Sequence, residues 1–123
     1  MTKSSTAIGN AAELKVKKFL EREGWLVCRT WRKYVWIKGK TICTQADFFN
    51  AFDIIALKPD DKILFAAVTV RRDLNRPRKK LNNMQHFMNQ DAASFQIWQV
   101  KGKKARVITW PRKDLKDSIE IEL

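Results

Sequence analysis

Histidine and cysteine are scarce, with one His and two Cys in 123 residues. Cys28 and Cys43 form no Cys-x-x-Cys pair and no Cys/His cluster, so neither a zinc site nor a disulfide framework is expected, and both thiols read as reduced core or near-core groups. Long apolar runs are also missing: none approaches the roughly 18 to 20 residues that a membrane span requires. Residues 1 to 7 are polar, so the sequence predicts no secretory leader, no membrane partner and a cytoplasmic location. Acidic side chains are few, 13 Asp and Glu against 25 Lys and Arg, which leaves a formal charge of +12. Such a field draws polyanions and releases their counterions, making nucleic acid the first partner to consider. Ribosome-associated proteins, membrane-surface binders and plain basic proteins share this balance.

Apolar residues make up 45% of the chain, and thirteen side chains are aromatic. That is enough to build a core, which argues against disorder, and the length fits one domain, residues 1–123. Ser4, Ser5 and Thr6 offer capping oxygens, after which Ile8, Ala12, Val16, Phe19 and Leu20 recur at helical spacing until Gly24, predicting a helix over 6–23. Residues 25–29 alternate like a strand, and 34–37 and 41–43 flank Lys38-Gly39-Lys40 as a hairpin. Residues 53–57 and 63–70 read as a buried strand pair at the sheet centre, joined through Pro59-Asp60-Asp61. A basic loop over 71–80 follows, Pro77 arguing against a continuous helix there. Next comes a helix with Leu81, Met84, Phe87 and Met88 on one side, then strands 95–100 and 105–110 around Lys101-Gly102-Lys103-Lys104, and a charged tail. No internal repeat or long linker is seen. The order predicts an α/β fold, a central mixed β-sheet flanked by helices.

Phosphodiester cleavage by metal ions needs carboxylates that converge on divalent cations, which polarise the phosphate and lower the pKa of the attacking water. Glu13 lies in the first helix and Asp53 opens the strand 53–57, so a fold that sets this helix beside this strand would bring the two acids together.

Gly9-x-x-x-Glu13, then Asp53-Ile-Ile-Ala, then a hairpin into Ile63-Leu-Phe-Ala-Ala-Val-Thr-Val70, resembles the PD-(D/E)XK nuclease superfamily, more narrowly archaeal and phage Holliday-junction-resolvase-like nucleases. The resemblance covers about residues 8 to 110. It implies a restriction-endonuclease-like core, a homodimer, and a magnesium or manganese ion held by Glu13 and Asp53. The family's Glu-x-Lys pair falls on Ala67 and Thr69, so the second metal carboxylate and the lysine are both missing. Some phage-type relatives are similar in carrying Thr at the lysine position, which makes Thr69 a catalytic candidate beside Glu13 and Asp53. Strand alternation is expected to put Ala67, Thr69 and Arg71 on one face. There Arg71 would stabilise phosphate charge without serving as a base. Lys17, a turn beyond Glu13, is a candidate migrated lysine. Asp47 reads either as a further ligand or as a loop cap.

The candidate nucleic-acid contacts are Arg32 and Lys33, and Arg71, Arg72, Arg76, Arg78, Lys79 and Lys80 in a run whose one acid is Asp73. Cations of this kind position a protein on phosphates without reading sequence. Trp31, Tyr34 and Trp36 read either as stacking platforms or as core, Trp25, Trp98 and Trp110 as core, and His86 as an ordinary polar position rather than a base. The leading expectation is therefore a metal-dependent endonuclease acting on branched or structured DNA. The competing one is a catalytically inactive DNA-binding or interaction protein on the same scaffold, which Ala67 and Thr69 favour.

Overall fold

A computed structural model describes residues 5–30, 32–45, 48–49, 51–110 and 118–123. Helix α1 spans Ser5–Arg22. Its buried stripe is Ala12, Val16 and Leu20, spaced four apart, and these pack with Phe19 onto one face of a sheet. The helix stops because Gly24 adopts φ +96°, which lets Gly24 N–H donate to the Glu21 carbonyl and Trp25 N–H to that of Leu20. This pair of bonds is a Schellman motif, and it turns the chain directly into the first strand.

Six strands form a mixed sheet in the order β1-β4-β5-β6-β7-β8. They are β1 (Leu26–Arg29), β4 (Ile54–Leu57), β5 (Ile63–Thr69), β6 (Ala93–Lys101), β7 (Lys104–Trp110) and β8 (Ile119–Glu122). Among the described strands only β5 and β6 run parallel, and α2 (Asn75–Met84) with a short 3-10 turn at Gln85–Phe87 lies between them in sequence. A parallel pair requires such a crossover. Neighbouring residues part company across the sheet: Ala66, Trp98 and Val107 join the α1 side, while Ala67, Ile97 and Ile108 join Leu74 and Leu81 on the α2 side. Trp98 and Trp110 are core, as their strand positions imply.

The remaining strands, β2 (Arg32–Ile37) and β3 (Lys40–Gln45), pair with each other in a separate two-stranded sheet. Their turn is Lys38-Gly39, both at positive φ, the backbone that matches strand twist in a two-residue hairpin.

Several expectations change. β5 and β6 hold the sheet centre, and β4 stands one strand from the edge. The basic segment is not all loop, since α2 begins at Asn75 and contains Pro77. Pro77 sits in the first turn, where an amide N–H has no helical acceptor to lose; the first full-turn bond is Arg78 N–H to the Leu74 carbonyl, at 3.0 Å. Phe87 is not on the buried side of that helix but 78% exposed, because the chain tightens to a 3-10 turn that shifts its phase. The tail supplies an unforeseen edge strand, with Ile119↔Val107 and Glu122↔Lys104 in register. Cys28 is exposed rather than near-core, since β1 is an edge strand and this residue points away from α1. The Cys43 side chain lies outside the described residues. Among the described residues no helix is long and apolar enough to cross a membrane.

Candidate nucleic-acid interface

Strand directions decide what meets at the end of the sheet. β1 ends at Arg29 opposite Ile54, β5 ends at Thr69 beside Gln99, and Lys101 pairs with Lys104 at the β6–β7 turn. Hence the close of β1, the start of β4, the close of β5 and the β6–β7 hairpin all lie at one end. α1 runs antiparallel to β1, as the tight turn at Gly24 requires, so its first half reaches the same end. There Lys15 donates to the Gly102 carbonyl at 3.0 Å.

Glu13 belongs to this end. Its residue is 7% exposed, and burying a carboxylate costs several kcal/mol unless a partner compensates. The partner is Arg29, whose Nη2 stands 3.1 Å from Glu13 Oε2. Arg29 shares the α1 side of β1 with Val27, which orients its guanidinium toward the helix. Lys17, the candidate migrated lysine, instead pairs with Glu21 one turn on, at 2.9 Å, and both side chains stay partly exposed.

Asp53 precedes β4 and is held on both sides. Its N–H donates to the Ala66 carbonyl at 2.9 Å and its carbonyl accepts from Thr30 N–H at 3.0 Å. Its carboxylate Oδ2 accepts from Val68 N–H at 2.7 Å. The β4–β5 ladder covers Ile54↔Ala66 to Ala56↔Leu64, and Asp53 satisfies a β5 amide just beyond it. The two acids are thus joined through β1: Arg29 grips Glu13, and the next residue, Thr30, bonds the Asp53 backbone.

Ala67 is buried in the apolar cluster on the α2 side, and half-buried Thr69 closes the strand. The Thr69 Oγ1 accepts from Arg71 N–H at 3.2 Å, so the chain turns there. Strand alternation therefore ends at Thr69, and Arg71 does not continue the face of Ala67. His86 is exposed with its ring 4.0 Å from that of Phe87.

Magnesium and manganese take several oxygen ligands in a near-octahedral shell. Among the described residues no group of three or more His, Cys, Asp or Glu gathers, and Glu13 already faces a guanidinium. This donor set, as arranged, does not fit such an ion. Asp47 and Trp31 lie outside the described residues, as do the side chains of Arg32, Lys33, Tyr34 and Trp36.

Cations crowd the same end. Arg71 and Arg72 are exposed just after β5, and Arg76 and Lys79 are exposed on α2; Arg78 and Lys80 are half-buried. Sequence reasoning missed a second set, Lys101, Lys104 and Arg106, which the β6–β7 hairpin brings beside Arg72 and Arg78 in one groove. The lysines read as turn residues. Arg106 carried a usable signal, because it alternates with buried Ala105 and Val107 and so had to face outward. Comparison with protein-family models, with curated proteins and with solved structures returned no match.

Proposed function

We propose that the chain is a nucleic-acid-binding protein on a restriction-endonuclease-like core, and that it engages branched or otherwise structured DNA with the cation-rich end of its sheet. One observation carries the reading: basic side chains from the β5–α2 segment and from the β6–β7 hairpin meet at the sheet end to which Glu13 and Asp53 also belong. Opposed phosphates would release counterions from such a surface, giving affinity that falls steeply with salt. A homodimer, which the resemblance implies, is part of the proposal. Binding rather than cleavage is favoured because Arg29 supplies the positive charge beside Glu13 that a metal would otherwise bring.

The second reading is a magnesium- or manganese-dependent endonuclease, favoured by the placement of Glu13 and Asp53 at one end of the sheet. Both readings meet one experiment, in which wild type and Asp53→Asn are titrated onto a labelled four-way junction and a duplex, with and without magnesium or manganese. Salt-sensitive binding without nicking is the expected result. Metal-dependent nicking lost in Asp53→Asn would establish the nuclease instead. If neither DNA binds in a salt-dependent way, both readings are wrong.

A further inference from the structure

Arg78 is oddly placed for a basic residue. Leu74 and Leu81 are the buried residues of the α2 segment, and Arg78 stands four positions after one and three before the other, on the side that faces the sheet. A long cation in such a place ordinarily lays its stem on apolar neighbours and keeps its head in water. Here the guanidinium Nε is buried and has no hydrogen-bond partner among the described residues. A buried donor left unmet costs about 1–3 kcal/mol, so an acceptor is wanted at that spot.

The surroundings say what kind. Arg78 lines a groove of about 730 Å³ between the start of α2 and the β6–β7 hairpin, together with Arg72, Lys101, Lys104 and Arg106. Among the described residues the acids in the lining are Asp73 and Glu120, and each has a partner. Asp73 Oδ1 accepts from Asn75 N–H at 2.8 Å, and Glu120 lies 3.8 Å from Lys104 Nζ. Because the Asp73 carboxylate already takes the first helical N–H, that of Asn75, the anion would be held by side chains rather than by the helix end. The wall is also fixed in advance: Gln99 Nε2 donates to the carbonyls of Arg71 and Arg72 at 2.8 and 3.1 Å, pinning the backbone that carries Arg72. Pockets that enclose whole small ligands run to roughly 300–1,000 Å³, so this space exceeds the needs of a single phosphate.

We propose that this groove binds a run of linked phosphates, gripped by Arg72, Arg78 and Arg106, with Lys101 adding charge. Guanidinium groups suit the task because each presents paired donors to phosphate oxygens. The phosphates come either from a nucleic-acid strand, in which case the inference rests on the function proposed above, or from a free polyphosphate, in which case it stands apart from it.

The test uses inorganic tripolyphosphate as the probe, measured by titration calorimetry at fixed ionic strength. Wild type is expected to bind saturably, and Arg78→Ala and Arg106→Ala each to weaken binding by about tenfold or more. Lys62→Ala, at the opposite end of the sheet just before β5, is expected to change it by less than about twofold. Arg106 is exposed on β7, so its variant should fold even if the Arg78 variant does not, which thermal unfolding of both variants checks. No saturable binding, or equal weakening by Lys62→Ala, overturns the proposal. A second arm adds tripolyphosphate to protein bound to labelled junction DNA. Displacement identifies a nucleic-acid strand as the source; retained DNA identifies a free polyphosphate. Tripolyphosphate binding by a chain that binds no DNA would leave the groove standing and remove the function proposed above.

Discussion

Glu13 and Arg29 form a pair whose two halves are unequally covered, the acid side chain 9% and the base 25% exposed. Removing the base alone strands a carboxylate away from water. Arg29→Ala is therefore expected to destabilise the fold by about 3 kcal/mol, while Glu13→Leu combined with Arg29→Met recovers most of that loss. Urea unfolding of the single and double variants checks this, and a double variant no better than Arg29→Ala would mean the pair does not set the cost. Asp53 makes a different claim on stability, through the bond from Val68 N–H. Asp53→Ala leaves that amide without this acceptor and is expected to cost about 1–3 kcal/mol, whereas Asp53→Asn keeps an oxygen in place and costs less. Equal losses in the two variants would show that the side-chain bond contributes nothing. Any DNA measurement on Asp53 should thus use the asparagine variant.

At the scale of elements, Pro77 is expected to be nearly neutral where it stands, since the first helical turn asks no hydrogen bond of it. Pro77→Ala should shift unfolding by less than about 1 kcal/mol. Lys80→Pro, deeper in α2, should cost about 3 kcal/mol. Similar losses at both positions would contradict the placement of the helix start. The same residue shows how far the sequence could be read. Ala12, Val16 and Leu20 repeat at a period that only a helix explains, and the alternation in Phe95–Val100 and Ala105–Trp110 admits little but strands, so α1, β6 and β7 were legible. Pro77 was ambiguous because its effect depends on where a helix begins, which periodicity does not tell. Ile119-Glu120-Ile121-Glu122 has a strand's alternation, but it is short, rich in charge and recognisable only when β7 offers an open edge. In the candidate site the acids stood out as single residues, whereas the partner of Glu13 did not. Arg29 lies sixteen positions away, and only the packing of α1 across β1 brings it close.

For the whole molecule, a formal charge of +12 has a direction as well as a size. Cations from segments far apart in sequence collect where β1, β5 and β6 end. Ligands of α/β sheets commonly sit outside the carboxyl ends of parallel strands, and here β5 and β6 are the parallel pair. If that end meets phosphates, replacing Arg71, Arg76 and Lys79 with alanine should lower the slope of log affinity against log salt by roughly one unit per lost contact. Anisotropy titrations between low and moderate salt give the slope, and an unchanged value would place the DNA elsewhere.

The β5–β6 register sets Ile63 beside Ala93 and Thr69 beside Gln99, with all of α2 spanning the gap. Each hairpin can close from residues already near one another, but this pairing must first tether a long excursion of chain. Rates of folding fall as contacts become more distant along the chain. Joining the α1–β5 half to the β6–β8 half, like closing β1 on β4 across a similar span, is accordingly expected to be slow, and refolding rates of variants at these two pairings check it.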